Sequence, residues 1–306
     1  MTILYRDFNS YLREIFGCRV QKISLDAGLG CPNRDGTVGR AGCIYCNEKG
    51  SGTGAISFAG ISEQIRAGKE GLARKYKARK FLAYFQSFSN TYAPLPRLAA
   101  LYEEALADPD VAGLSIGTRP DCVSDEILDH LATLGKTHLI WLEFGLQSAN
   151  DETLKRIRRG HCVAAFTDAV QRSRVRKIPV CAHVILGLPV ETIDDMLHTA
   201  RFLSLQDIQA VKIHLLYVIK GTALDEMYRS GAYSCLSRED YAAAAGEFIA
   251  LLPPRVIIQR LTGDPHPDEL VSPLWALDKQ RNIEAVRAYM EKNRLYQGKN
   301  FGSFEF

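Results

Sequence analysis

Between Val20 and Val218 the chain repeats one pattern, a short apolar strand-like run followed by a segment of helical spacing. Strand-like runs fall at Val20 to Leu25, Phe81 to Phe85, Gly113 to Gly117, Leu139 to Phe144, Val180 to Leu186 and Val211 to Val218. Helical spacing separates them at Ile61 to Arg79, Asp125 to Leu134 and Ile193 to Leu203. A strand joined to the next through a helix is a crossover connection, which builds a parallel sheet. Six such strands make most of a barrel, short of the eight units that close one. The expected fold is therefore α/β, an open partial (βα)6 TIM-like barrel over residues 20–222. A helix over 1–19 precedes it, and a C-terminal α/β extension over 223–306 follows. In that extension Val256 to Leu261 is β-branched and suits the open edge of the sheet. Lys279 to Lys292 reads as a final helix, and the tail after Arg294 reads as loosely ordered.

In parallel sheets of this kind functional groups collect at the carboxyl ends of the strands. The first strand end leads into LDAGLGCPNRDGTVGRAGCIYCNEKG, which holds Cys31, Cys43 and Cys46. Three thiols in a Gly-rich loop are reactive and oxidisable once ionised, and a metal is the usual reason for them. A structural zinc site is closed by four ligands. The only candidate nearby is Cys18, and no His precedes His130. Three thiolates suit an iron-sulfur cluster with one iron left open. Cys18 itself reads as a small packed residue.

The Cys43-Ile44-Tyr45-Cys46 pair, with an aromatic before the last Cys, resembles the radical SAM superfamily. The eleven-residue first gap and the run CPNRDGTVGRAGCIYCN resemble its YhcC-type or Elp3-like branch, related to the Elongator catalytic subunit. That resemblance covers nearly the whole chain. It implies a 4Fe-4S cluster on Cys31, Cys43 and Cys46, S-adenosylmethionine (SAM) on the open iron, and a 5'-deoxyadenosyl radical formed when an electron cleaves the sulfonium. The barrel expected from the strand count is the one this superfamily uses.

The resemblance also assigns SAM contacts. Gln86, Ser87 and Asn90 stand where the family has a glycine-rich segment near the methionyl amine; an ordinary Asn/Ser turn fits them too. Thr118, Arg119 and Asp121 at the third strand end can meet the SAM carboxylate and ribose, or cap the helix that begins near Ser124. GLQS followed by RRGH resembles the fourth-strand motif of tRNA-modifying members. It places Gln147 at the ribose, Glu143 inside the barrel and Arg158 at the carboxylate, although basic residues in a last helical turn also complement the dipole. Gly187 in ILGLP would lie against adenine. Lys212 and His214 share a strand face and would touch substrate, with Glu143 as the third catalytic candidate. Equally, Lys212 and Glu143 fit a buried structural pair. His183, in an apolar strand, fits a core role as well as a substrate-facing one. Arg260 and Asp264 would suit substrate recognition at the barrel's gap.

Composition sets wider bounds. Hydrophobic residues make up 46% and charged residues 24%, an ordinary globular balance, and the net charge of +3 neither requires nor excludes nucleic acid. No run approaches the roughly 18 apolar residues that cross a bilayer, and the N-terminus is charged rather than signal-like, so a cytoplasmic, non-membrane enzyme is expected. The other cysteines are scattered, which argues against a second cluster and against a disulfide framework. The length leaves no room for an Elongator-type acetyltransferase domain. The expected partners are a tRNA substrate, modified at its wobble uridine, and a reducing protein such as flavodoxin or ferredoxin. Basic residues at 66 to 80 and 155 to 177 suit tRNA, or simply form solvated helix faces. A small metabolite or peptide is the alternative substrate, and a non-catalytic zinc or RNA-binding module the alternative class.

Overall fold

A computed structural model describes residues 3–50 and 60–302. The strands in chain order are β1 (Val20–Leu25), β2 (Lys80–Phe85), β3 (Val111–Thr118), β4 (Leu139–Gln147), β5 (Val180–Leu186), β6 (Ala210–Leu215), β7 (Val218–Ile219), β8 (Ile257–Arg260) and β9 (Leu270–Ser272). The helices are α1 (Phe8–Phe16), α2 (Ile61–Tyr76), α3 (Leu95–Leu106), α4 (Asp125–Leu134), α5 (Asp151–Arg156), α6 (Val163–Val175), α7 (Ile193–Ser204), α8 (Ala223–Arg229), α9 (Arg238–Leu251) and α10 (Lys279–Lys292).

One parallel sheet runs β1-β2-β3-β4-β5-β6-β8. Its curl is evident from its edges: Lys22 Nζ on β1 donates to Gln259 Oε1 on β8 at 2.8 Å, although the two strands lie at opposite ends of the order. The sheet is thus an open half-barrel with a seam between β1 and β8, and β8 is the edge strand expected from Val256 to Leu261. Alternation sorts the side chains. Ile23, Leu25, Leu114, Ile116, Leu142 and Phe144 face the outer helices and join the main core, while Lys22, Tyr84, Glu143 and His183 face the lumen. β4 is longer than expected, reaching Gln147, because its end carries a bulge at Gly145 to Gln147. The run expected as one sixth strand divides. β6 stops at Leu215, and Val218–Ile219 turns away to pair antiparallel with β9.

The amino ends of the strands are plugged. Asp7 caps α1 by accepting from the Asn9 and Ser10 amides, and Gly17 (φ 62°) ends it. This short amphipathic helix lays Phe8 and Tyr11 edge-on against Trp141, each with ring centroids 5.9 Å apart. Ahead of α1, the Ile258 amide donates to the Arg6 carbonyl at 2.8 Å, which pins the seam at this end.

The tail corrects its expectation. As far as Gly302 it is docked rather than loose, because Gln297, 7% exposed, satisfies three backbone groups from two segments. Its Oε1 accepts from the Arg6 amide at 2.9 Å, and its Nε2 donates to the carbonyls of Pro253 at 2.8 Å and Val256 at 2.6 Å. Leu295 packs into the core beside it.

Candidate active site

Sequence-distant elements meet over the carboxyl ends of the strands in a cavity of about 300 Å³. All three loop cysteines line it. Cys43 and Cys46 are held in one turn, with the Cys46 amide donating to the Cys43 carbonyl at 3.0 Å. Donors are aimed at the sulfurs. Asn33 Nδ2 lies 3.5 Å and Arg159 Nη1 3.8 Å from Cys43 Sγ, and Ser89 Oγ lies 3.8 Å from Cys31 Sγ. N–H and O–H groups directed at sulfur stabilise thiolates and tune a cluster they ligate. Without a metal, burial and the neighbouring Cys43 push the Cys46 thiol up to about 12.

Among the described residues no three His, Cys, Asp or Glu side chains converge on one point. Cys31, Cys43 and Cys46 nevertheless line one cavity, and three thiolates are one short of the four ligands that close a structural zinc site. Cys18 precedes β1 and Cys31 follows it, so six strand residues, roughly 20 Å, separate them, and Cys18 is no fourth ligand.

The other expected residues divide. Gln86, Thr118, Arg119, Glu143, Gln147 and His214 line the cavity. Thr118 spends its hydroxyl on Thr91 Oγ1 at 2.6 Å. Arg119, 1% exposed, is clamped by Asp121 through two hydrogen bonds of 2.9 and 2.8 Å, and its Nη1 donates to the Arg159 carbonyl at 2.6 Å. Asp121 therefore orients Arg119 and lies off the cavity wall. Ser87 and Asn90 are buried braces: Asn90 Nδ2 donates to the carbonyls of Ser87 at 3.0 Å and Gly117 at 2.8 Å, tying the second strand end to the third. Gly187 (φ 87°) packs on Leu236, and its carbonyl accepts from the Tyr233 hydroxyl at 2.9 Å, away from the cavity.

The basic run also corrects its expectation. The chain leaves α5 through Arg158 at φ 54°, which throws the Arg158 side chain outward and the next one inward. Arg159, 8% exposed, is the cavity residue, with Nη2 donating to the Gly145 carbonyl at 2.7 Å. A Cβ on Gly145 would stand 2.4 Å from that nitrogen, so the GLQS glycine makes room for the RRGH arginine. The sequence signal was this pairing of a glycine with an adjacent basic run; which arginine it selects depends on one backbone angle.

Below the cysteines the lumen holds an ionic cluster. Glu143, fully buried, accepts from Lys22 Nζ at 2.6 Å, from His183 Nε2 at 2.9 Å and from Lys212. Burial would raise its carboxyl, but Lys212 and Lys22 outweigh that and hold it well below the ordinary carboxylate range. Burial, opposed by Glu143, lowers Lys22 to about 8. Burial and Lys212 lower His183 to about 4, so this imidazole is neutral near pH 7. Lys212 lies under the cavity floor, 4.1 Å from the centroid of the Tyr84 ring, and of the two uses open to it the ion pair is the one observed. The sequence gives no signal for Lys22 and Tyr84 beyond the alternation of β1 and β2, no role to Asn33 or Ser89, and within the basic run it points to Arg158 rather than Arg159.

The Radical SAM superfamily model matches residues 28–203, and the Radical SAM C-terminal domain matches residues 208–292. The first match covers more than half of the chain, which therefore belongs to the radical SAM superfamily, on its YhcC- and Elp3-like branch. Over 98% of its length it is 39% identical to the uncharacterized protein YtqA of Bacillus subtilis, covering 94% of that protein. It is 36% identical to Protein YhcC of Escherichia coli over 96% of its length, again covering 94% of the relative. A tRNA uridine(34) acetyltransferase of Methanocaldococcus infernus is 30% identical over 60% of this chain, which spans 34% of that enzyme. In three dimensions the archaeal Methanocaldococcus infernus Elp3 aligns over 91% of this chain and 64% of its own, with a TM-score of 0.66 at 21% identity. That likeness supports the fold.

Proposed function

We propose that the cavity holds a 4Fe-4S cluster on Cys31, Cys43 and Cys46 with SAM beside it, and that the enzyme modifies the wobble uridine of tRNA. The observation that carries this is that all three loop cysteines line one cavity, with Asn33 and Arg159 directed at the Cys43 sulfur and Ser89 at that of Cys31. When bound, the cluster and SAM supply a 5'-deoxyadenosyl radical. The chain's own residues do the rest. Arg159 and Asn33 offer N–H groups to sulfur, and Gln86, Gln147 and the clamped Arg119 offer polar groups to SAM. The plugged floor excludes water from below. Flavodoxin or ferredoxin fits as the electron donor, and the cytoplasm as the compartment that protects such a cluster.

Support for a wobble-uridine substrate comes from the relative that acts on uridine 34 of tRNA. The basic residues of α6 and its C-cap add little to it, since Arg172 and Arg176 are engaged by Asp125, Asp129 and Asp168. Two experiments test the reading at its two levels. Anaerobic reconstitution should give a brown protein that cleaves SAM, and retention of cleavage by Cys43→Ala would remove the cluster assignment. Mass spectrometry of tRNA nucleosides from a strain lacking the gene should show one C5-substituted uridine missing and its precursor accumulated; an unchanged profile would remove the tRNA assignment alone.

A further inference from the structure

The charges on the lumen floor do not balance. Across the strands the ionisable side chains there are Lys22 from β1, Glu143 from β4, Lys212 from β6 and Arg260 from β8, three cations against one carboxylate. Tyr84, His183, Cys181 and His214 complete the titratable set. Burial pushes the tyrosine and the thiol up and both imidazoles down, so all four are uncharged near pH 7. Glu143 is already saturated by two lysines and His183. The acids higher in the cavity are engaged as well, Asp264 with Lys279 at 2.6 Å and Glu269 with Lys49 at 2.6 Å. A shift of register between β6 and β8 turns Arg260 into the cavity beside Gln259, and no carboxylate among the described residues lies within ion-pair distance of its guanidinium. Beside it two buried nitrogens, His214 Nε2 and Gln259 Nε2, have no hydrogen-bond partner.

Uncompensated cations and unpaired nitrogens in one enclosed place are costly unless something brings negative charge and acceptors to them. We infer that this floor receives the anionic group, a carboxylate or a phosphate, of a small reactant, with Arg260 as its main ligand and His214 beside it. Unsubstituted uracil carries no charge near pH 7, so the bare ring is not what this floor would hold. An RNA backbone is a poor fit, because Lys22, Glu143 and His183 lie at mid-strand depth rather than at the mouth. Arg presents a planar fork matched to either oxyanion. This inference rests on the proposal that the cavity is the reaction site, but not on what loads it.

The test is calorimetric titration of the reconstituted enzyme, with and without SAM, using malonate and inorganic phosphate as probes and malonamide as the uncharged control. Malonate or phosphate should bind saturably and malonamide should not. Arg260→Gln should weaken binding about tenfold or more, the size of a lost charge-assisted hydrogen bond. Arg260→Lys should recover part of it, His214→Gln should weaken it less, and circular dichroism should show all three folded. Cys43→Ala should still bind the anion while losing SAM cleavage, which separates failure of this inference from failure of the cluster assignment. Absence of saturable binding to the wild-type protein, or equal binding by Arg260→Gln, would overturn the inference. Competition between malonate and SAM would do so as well, by showing that the floor holds the SAM carboxylate. If Arg260→Gln changed only the affinity for a short single-stranded RNA, the floor would be an RNA contact and the inference would again fail.

Discussion

The cysteine rim and the charged floor occupy the same cavity but are built in opposite ways. The rim is local: Cys31, Cys43 and Cys46 lie on one loop, and chain neighbours such as Asn33 contribute to it. The floor is assembled from afar. Lys22 meets Glu143 across 121 positions and Gln259 across 237, and Lys212 meets Glu143 across 69. The rim's chemistry depends on what the loop binds, whereas the ion pairs around Glu143 form within the protein alone. Removing a rim group should therefore cost activity and little stability. Removing Glu143 should cost stability first.

The largest effect expected is at the rim. Cys43→Ala should abolish SAM cleavage and cluster absorbance while leaving the unfolding midpoint of the metal-free protein nearly unchanged; a collapsed midpoint would break the contrast. On the floor, Glu143→Gln leaves two buried lysines without their carboxylate and should destabilise the protein by about 3–5 kcal/mol in urea unfolding. Adding Lys212→Met should return part of that loss, and failure of this rescue would show that the pair does not act as a unit. Arg159→Gln sharpens the comparison from between the two regions. It reaches both Cys43 and the Gly145 carbonyl, and its loss should lower SAM cleavage by about 10–100-fold, with a change in the absorbance spectrum of the bound cluster.

The smallest effect belongs to a carboxyl outside both regions. Burial raises Glu191 to about 7, and its Oε1 accepts from Ser148 Oγ at 2.5 Å. Its folded value lies above its unfolded one, so the folded state holds the extra proton between about pH 4.5 and 7. The stability it gives is full below that window and falls as pH rises through it, by about 1–2 kcal/mol. Urea titrations at pH 5 and pH 7.5 should show this slope in the wild type and a flatter one in Glu191→Gln. An equal slope in both would move the pH dependence to the floor.

The same contrast explains what the sequence disclosed. Strand-helix alternation is a short-range signal, and β1, β5 and α10 fall where periodicity puts them. The cysteine spacing is likewise local. The choice between Arg158 and Arg159 is not, since it turns on one residue with positive φ after α5. Nor is the docking of the tail, where a single buried Gln297 within a polar, Gly-containing stretch reaches Arg6, Pro253 and Val256. Lys22 looked like one polar residue of an alternating strand. Only the curl of the sheet, which brings its two edges together, gives it Glu143 and Gln259 as partners.

That curl has a mechanical consequence. The seam between β1 and β8 is fastened at the plugged end, where the Ile258 amide meets the Arg6 carbonyl, and part-way up by Lys22 and Gln259. Higher up, Asn47 Nδ2 and Lys49 Nζ from the loop after β1 both donate to Glu269 beyond β8. The half-barrel is therefore laced at three heights, and parting its two edges means breaking a polar contact at each.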